Sequence, residues 1–215
     1  MKGIMEKESI FEQIEIHILE DEKPSDFIEV LFKDDEVSST NPFTMLSNLK
    51  KVEQNKKYHP EGSVWNHTLL VVDEAASRRE QSRDKKAFMW AALLHDIGKA
   101  PTTRIRNGKI TSYNHEKLGK EMSTTFLREF NKDEEFIKKI ASLIRWHMEP
   151  LFILKELPFS NIKQMLREVP IEEIALLAVC DRLGRGDMSS KKAIDEKRGI
   201  EMFVKRCKKY MENEV

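Results

Sequence analysis

The residues of this chain best suited to chemistry are histidines and aspartates, and their placement is uneven. His95 and Asp96 stand side by side after the apolar run Trp90-Ala91-Ala92-Leu93-Leu94. Neighbouring side chains on a helix diverge by about 100°, yet at a helix end both can turn onto one ion. Imidazole suits transition metals, and a carboxylate suits harder ions or bridges two. Two strongly polar groups buried without partners would be costly, and a bound cation relieves that cost. A second reading stands beside it: a hydrogen-bonded core histidine next to an aspartate held by backbone or by Lys99.

Other candidates surround the pair. His67 falls early in one helix, His115 opens another in NHEKLG, and His147 lies near a helix end in IRWHMEP. Asp181 follows the apolar stretch LAVC. Singly, each has an ordinary explanation: a helix-end histidine facing carbonyls, a polar residue in a first turn, or a core aspartate paired with Arg145 or Arg182. Together they form the order H…HD…H…H…D on separate helices, a ligand set for one or two metals.

Such a set could support hydrolysis. Water on a metal loses its proton near neutral pH, and Asp96 could orient it for in-line attack on phosphorus. Lys99 is the candidate to bind phosphate or to protonate the leaving oxygen. Arg104, Arg145, Arg182 and Arg185 are candidate phosphate contacts, because guanidinium binds phosphate bidentately. Each of these arginines could equally be a surface or ion-pair residue. Trp65 and Trp146 could stack a base, although apolar neighbours at helical spacing favour core packing. His17 and His59 fall outside the ordered set. The basic run Lys205-Arg206-Lys208-Lys209 is read as a solvated face beside Glu201 and Glu212.

The elements that must position these groups are helical almost throughout. Ser9–Glu20 places Ile10, Phe11, Ile14 and Ile18 on one face. Ser25 is read as the cap of a helix through Phe32, residues 34–40 as a polar linker, and Asn41-Pro42 as the start of a helix to about Lys50. The loop YHPEGS follows. A helix from Val64 to Arg79 should turn Leu69, Leu70, Val72, Ala75 and Ala76 inward. Asp84–Ile97 is next, with Gly98 as its terminator, and then a long loop with a turn at Asn107-Gly108. Helices from Asn114 to Phe130, Asp133 to Met148, Ser160 to Glu168, Ile171 to Leu183 and Ser189 to Met211 complete the chain. No segment alternates convincingly as a strand, so the fold class is all-α. Residues 1–40 read as a peripheral helical extension and residues 41–215 as the main domain.

Composition narrows the class. The 215 residues carry 37 Lys+Arg and 37 Asp+Glu, a formal net charge of zero. That argues against nucleic-acid binding through bulk positive charge, while leaving room for a local basic patch. Cys180 and Cys207 show no CxxC spacing, so a disulfide framework is not expected, and Cys180 reads as a small buried hydrophobe. No apolar stretch reaches the length of a membrane span, and the N-terminus is no signal peptide. The reading is a soluble, cytoplasmic protein.

The phrases YHPEGSVWNHTLLVVDEAA, AALLHDIGKAPTT, SYNHEKLG, RWHMEP and CDRLGRG resemble the HD-domain metal-dependent phosphohydrolases. Within that superfamily they are similar to the HD region of bacterial CCA-adding tRNA nucleotidyltransferases. The resemblance spans roughly residues 43–188 and implies an HD-type helical bundle. It implies that His67, His95, Asp96 and Asp181 hold a metal, with His115 and His147 added where two ions bind. The implied cofactor is one or two divalent ions among Mn, Ni, Co, Fe, Mg and Zn, the histidines making magnesium alone a poor fit. The implied substrates are nucleotides, 2′,3′-cyclic nucleotides or RNA ends, cleaved by phosphomonoesterase or phosphodiesterase action. RNA is an allowed partner, and a homo-oligomer is compatible with the sequence. The alternative is a nucleotide-sensing or tRNA-associated HD module without catalysis. The transferase head of CCA-adding enzymes has no counterpart in residues 1–40, which read as helices, so nucleotide addition is not implied.

Overall fold

The computed structural model describes residues 6–186 and 188–213. Residues 1–5 of the expected extension, and residues 187 and 214–215 of the expected main domain, lie outside them. The described chain is almost entirely helical: α1 (Lys7–Glu20), α2 (Pro24–Leu31), α3 (Asp35–Ser39), α4 (Thr44–Ser47), α5 (Val64–Ala76), α6 (Lys85–Leu94), α7 (Lys99–Thr102), α8 (His115–Arg128), α9 (Glu134–Trp146), α10 (Glu149–Leu154), α11 (Ile162–Glu168), α12 (Ile171–Leu183) and α13 (Ser190–Asn213). A two-stranded antiparallel hairpin, β1 (Arg104–Arg106) with β2 (Lys109–Thr111), interrupts it. Three residues per strand are too few for sequence alternation to register. Its turn was legible, because Asn107 and Gly108 both take positive φ, the pairing a tight hairpin needs.

The helix starts follow capping chemistry. Ser63, Asp84, Asp133 and Asn161 each accept a backbone N–H of the helix they precede. Ser25 does not cap α2. Pro24 opens that helix, and the Ser25 hydroxyl and N–H both bond the Asp73 carboxylate on α5. The stretch read as a linker contains the short α3, capped by Asp34. The Asn41–Pro42 bond is cis, and the helix expected from it begins at Thr44 and ends in a 3-10 turn, Asn48–Lys51.

One continuous apolar core joins these elements. The α1 face of Ile10, Phe11, Ile14 and Ile18 is buried as the periodicity predicts. Phe11 stacks on Trp90 with ring centroids 4.2 Å apart, and the Trp90 indole N–H donates to Glu15. Helix α6 is buried on all sides from Ala87 to Leu94, so it runs through the centre of the bundle and delivers His95 and Asp96 into its interior. Leu70, expected inward, lies at the edge of the buried face of α5 and stays 37% exposed. Trp65 and Trp146 are core residues.

Gly98 serves close packing rather than helix termination. Its φ is −71°, an ordinary right-handed value, but a Cβ there would fall 2.1 Å from the His115 carbonyl oxygen. The missing side chain lets α7 touch α8 and so brings Asp96 beside His115. Gly98→Ala is expected to destabilise the protein by about 1–3 kcal/mol through overpacking against backbone, read as a lowered urea midpoint. Phe11→Ala should cost about 3–5 kcal/mol, whereas Ile16→Ala, at a half-exposed position of the same helix, should cost under about 0.5 kcal/mol. Equal midpoints for the two α1 variants would show that the helix does not share the core.

Candidate metal centre

The ligand candidates come from ends of different elements. His67 lies in the first turns of α5, His95 and Asp96 at the C-terminal end of α6, His115 at the first residue of α8, His147 at the C-terminal end of α9, and Asp181 near the end of α12. All six are buried. Helix ends are where side chains can turn inward without competing with an intact hydrogen-bond ladder.

Asp96 is the centre of the arrangement. Its Oδ2 lies 3.3 Å from His95 Nε2 and 3.9 Å from His67 Nε2. Its Oδ1 lies 3.5 Å from His115 Nε2 and 3.7 Å from His147 Nε2. One carboxylate therefore offers each oxygen to a different pair of imidazoles. Asp181 extends the first half, with Oδ1 3.0 Å from His67 Nε2. Donor atoms of His67, His95 and Asp96 lie within 4.8 Å of one another, as do those of Asp96, His115 and His147. Each group could hold a metal ion.

The hydrogen bonds on the far side of the rings decide which nitrogen faces inward. Nδ1 of His95 lies 2.8 Å from the Ala92 carbonyl, Nδ1 of His115 lies 2.7 Å from that of Ser112, and Nδ1 of His147 lies 2.7 Å from that of Ile144. A carbonyl only accepts, so each Nδ1 donates its hydrogen and each neutral ring presents an Nε2 lone pair. Among the described residues His95 Nε2 and Asp96 Oδ1 meet no hydrogen-bond donor, and Asp96 Oδ2 meets the Lys99 ammonium. His115 Nε2 and His147 Nε2 lie 3.2 Å apart, two lone pairs facing each other unless a cation intervenes. A proton is disfavoured as that cation. Burial pushes His115 down to about 3 and also lowers His147. The donor set thus fits divalent metal, with imidazole nitrogens oriented by carbonyls behind them.

The carboxylates are charged in spite of burial. Burial alone would raise Asp96 and Asp181, but the Lys99 ammonium outweighs it at Asp96, and His67 and Arg185 do so at Asp181, holding both well below the usual range. His67 behaves differently from the other imidazoles. Burial would depress it, yet Asp181 and Glu61 on its two sides raise it.

The remaining candidates divide. The Lys99 ammonium lies 2.7 Å from Asp96 Oδ2 and donates to Gln54 Oε1. The ion pair considered in the non-metal reading is therefore present, but it leaves Oδ1 and the facing imidazoles uncompensated. Arg185 reaches within 4.0 Å of Asp181, and its buried Nε has no hydrogen-bond partner among the described residues. Arg145 stacks over Trp146 and stands 3.9 Å from Glu116. Arg182 pairs with Glu196 of α13. Arg104 is exposed on the hairpin, where its guanidinium donates to the Thr103 carbonyl, and among the described residues it forms no ion pair with a candidate ligand.

Glu61 escaped the sequence reading. Its Oε1 lies 3.0 Å from His67 Nδ1 and 2.8 Å from His59 Nδ1, and its Oε2 accepts the Gly186 N–H. Burial would raise this carboxyl, but His59 and His67 lower it strongly. His59, left unassigned, is thereby a neighbour of the cluster. The loop YHPEGS bends through Gly62 at φ 93°, and no helical periodicity points from it to α5. The only signal was two ionisable residues among turn formers. His17 belongs elsewhere, stacked on Phe27 and bonded to Asp21. Cys180 is buried and its thiol is pushed up to about 12, which fits an inert core residue.

Comparison with known proteins adds an independent line. The chain is 33% identical over 152 residues to a multifunctional CCA protein of Pasteurella multocida, covering 67% of this chain and 35% of the relative. It is 25% identical over 182 residues to one of Haemophilus influenzae, covering 80% of this chain and 42% of the relative. It is also 30% identical over 91 residues to an A-adding tRNA nucleotidyltransferase of Deinococcus radiodurans, covering 41% of this chain and 20% of the relative. The chain therefore spans well under half the length of these relatives. Residues 64–186, more than half of the chain, match the HD domain model and include every ligand candidate. The chain belongs to the HD domain family, within a superfamily of metal-dependent phosphohydrolases.

Proposed function

We propose that this protein hydrolyses phosphate esters of nucleotides, 2′,3′-cyclic nucleotides or RNA ends at a centre of one or two divalent ions. The observation that carries the proposal is the single buried carboxylate of Asp96, which faces paired imidazoles on each oxygen and meets the Lys99 ammonium at Oδ2 alone. His67, His95, Asp96 and Asp181 would hold one ion, and Asp96, His115 and His147 the other. Ions bound there supply positive charge that acidifies water and offsets the charge of phosphoryl oxygens.

The chain's own groups would do the rest. Asp96 can accept a hydrogen bond from the attacking water and align it. Lys99, the nearest mobile cation, can leave Asp96 to bind a non-bridging oxygen or give a proton to the leaving oxygen. Arg185 has an unmet donor beside Asp181 and can contact a phosphate. Relatives named as CCA proteins and a tRNA nucleotidyltransferase favour RNA or nucleotides as the substrate class.

Elemental analysis of the purified protein, followed by a phosphoester panel, tests the proposal. The panel should contain 2′,3′-cyclic nucleotides, 2′-nucleotides and dinucleoside polyphosphates. Asp96→Ala is expected to lose bound metal and at least about a hundredfold of turnover, since even groups behind a ligand are worth 10–100-fold in affinity or activity. Retained activity in metal-free Asp96→Ala would falsify the reading. Inactivity of the wild type across the panel, with tight nucleotide binding, would replace it by a sensing module. Chelation should also lower the melting temperature. Metal at a hundredfold excess over its Kd contributes about 2.7 kcal/mol, which corresponds to roughly 5–10 °C for a chain of this size. An unchanged melting curve after dialysis against chelator would mean that no ion is bound.

A further inference from the structure

The segment joining the two halves of the centre carries a second feature. From Ile97 to Asn114 the chain contains Lys99, Arg104, Arg106 and Lys109 and no acidic residue, in a protein whose charges balance as a whole. The register of the hairpin sorts these groups. Arg104 pairs with Thr111, Ile105 with Ile110 and Arg106 with Lys109. Residues directly opposite one another share a face, so Arg104, Arg106, Lys109 and Thr111 lie together. Tyr113 lies in the turn just beyond β2, in contact with that face. It is 63% exposed, and the Arg106 guanidinium stands over its ring at 5.6 Å.

This face is unfavourable by itself. Like charges directly across a ladder repel, a hairpin this short has little stability to spare, and none of Arg104, Arg106 and Lys109 forms an ion pair with any described residue. Cations interleaved with an exposed aromatic ring are what a single nucleic-acid strand requires, phosphates against the charges and a base against the ring.

The hairpin is also tied to the centre at both legs. The Lys99 N–H bonds the Asp96 carbonyl, the Thr103 hydroxyl bonds the Lys99 carbonyl and meets the Ser112 hydroxyl at 2.7 Å, and the Ser112 carbonyl holds His115 Nδ1. Strands of three residues at about 3.3 Å each carry the basic face about 10 Å from that base. We propose that the hairpin is an arm for single-stranded nucleic acid, gripping nucleotides adjacent to the one whose phosphate reaches the metal centre. The substrate is then an oligonucleotide strand rather than a free mononucleotide. This rests on the phosphohydrolase reading for what happens at the centre, but strand binding by the arm does not require turnover.

Binding of labelled 12-nucleotide RNA and DNA strands to the full, metal-free chain tests the arm, by fluorescence anisotropy across a range of salt. R106Q/K109Q is expected to weaken binding at least tenfold. It should also flatten the salt dependence by roughly 1.4, from about 0.7 per phosphate contact on a single strand. Tyr113→Ala should weaken binding about fivefold or more through lost stacking, with an unchanged salt slope. K191Q/K192Q removes the same charge from α13 and should change nothing. Binding by R106Q/K109Q within twofold of wild type, or an equal loss in K191Q/K192Q, overturns the proposal. Equal affinity for RNA and DNA supports a grip on phosphates and bases, and preference for RNA supports an added contact to the 2′-hydroxyl. Turnover of bis(p-nitrophenyl) phosphate, measured in parallel with metal added, separates the two readings. If wild type has none but R106Q/K109Q still loses the strand, only the hydrolytic reading falls. If turnover is present and strand binding is unaltered by the variant, only the arm falls.

Discussion

A negative charge held in the middle of a helical bundle governs this structure. The Asp96 carboxylate is almost fully buried, remains ionised, and meets ring nitrogens that turn lone pairs toward it. Lys99 compensates part of that charge and cannot compensate all of it, because it approaches only one oxygen. Much of the surrounding architecture serves this arrangement. An apolar helix brings the carboxylate inside, Gly98 permits the next helix to close on it, and carbonyls behind the rings fix which nitrogen is exposed. A bundle assembled for stability alone would do better with hydrophobic residues at these positions.

The buried cluster of candidate ligands was legible because its residue types are rare in apolar surroundings. His95-Asp96 after five apolar residues is conspicuous in a linear string, and the ordered recurrence of His and Asp on later helices made a common site plausible. Helices announced by local chemistry were legible too: Asp133 caps α9, and α12, which has no side-chain cap, runs over the residues its apolar pattern marks. Features that depend on contacts between distant segments were not legible. Ser25 was read as a cap because its type fits, yet a partner 48 residues away takes both its donors. Gly98 was read through backbone freedom, and the actual demand is steric, from a carbonyl of a later helix. Glu61 had no periodicity to tie it to His67. The hairpin was visible as a turn and invisible as strands.

The arginines illustrate the limit from the other side. As sequence, Arg104, Arg145, Arg182 and Arg185 are interchangeable donors near candidate ligands. In space they separate. Arg182 is engaged by α13, Arg145 lies against a tryptophan, Arg104 stands out on the hairpin, and Arg185 alone keeps a buried, unmet donor beside a candidate ligand. Phosphate recognition depends on which cations remain uncommitted, and commitment is a property of the folded chain.

The carbonyls behind the rings have one more consequence. His95, His115 and His147 each bond a carbonyl three residues earlier in their own segment, whereas His67 bonds that of Gly184, 117 residues away. Three rings are thus aimed as soon as their own helix ends form, whereas the Nδ1 of the fourth lies between Glu61 of the preceding loop and Gly184 at the far end of the chain, and is fully aimed when that end has docked. In the proposed centre the two ions would therefore differ in lability. A local opening of the stretch after α12 would loosen the His67 half and let its ion exchange with solvent, while the His115–His147 half stayed aligned and kept its own.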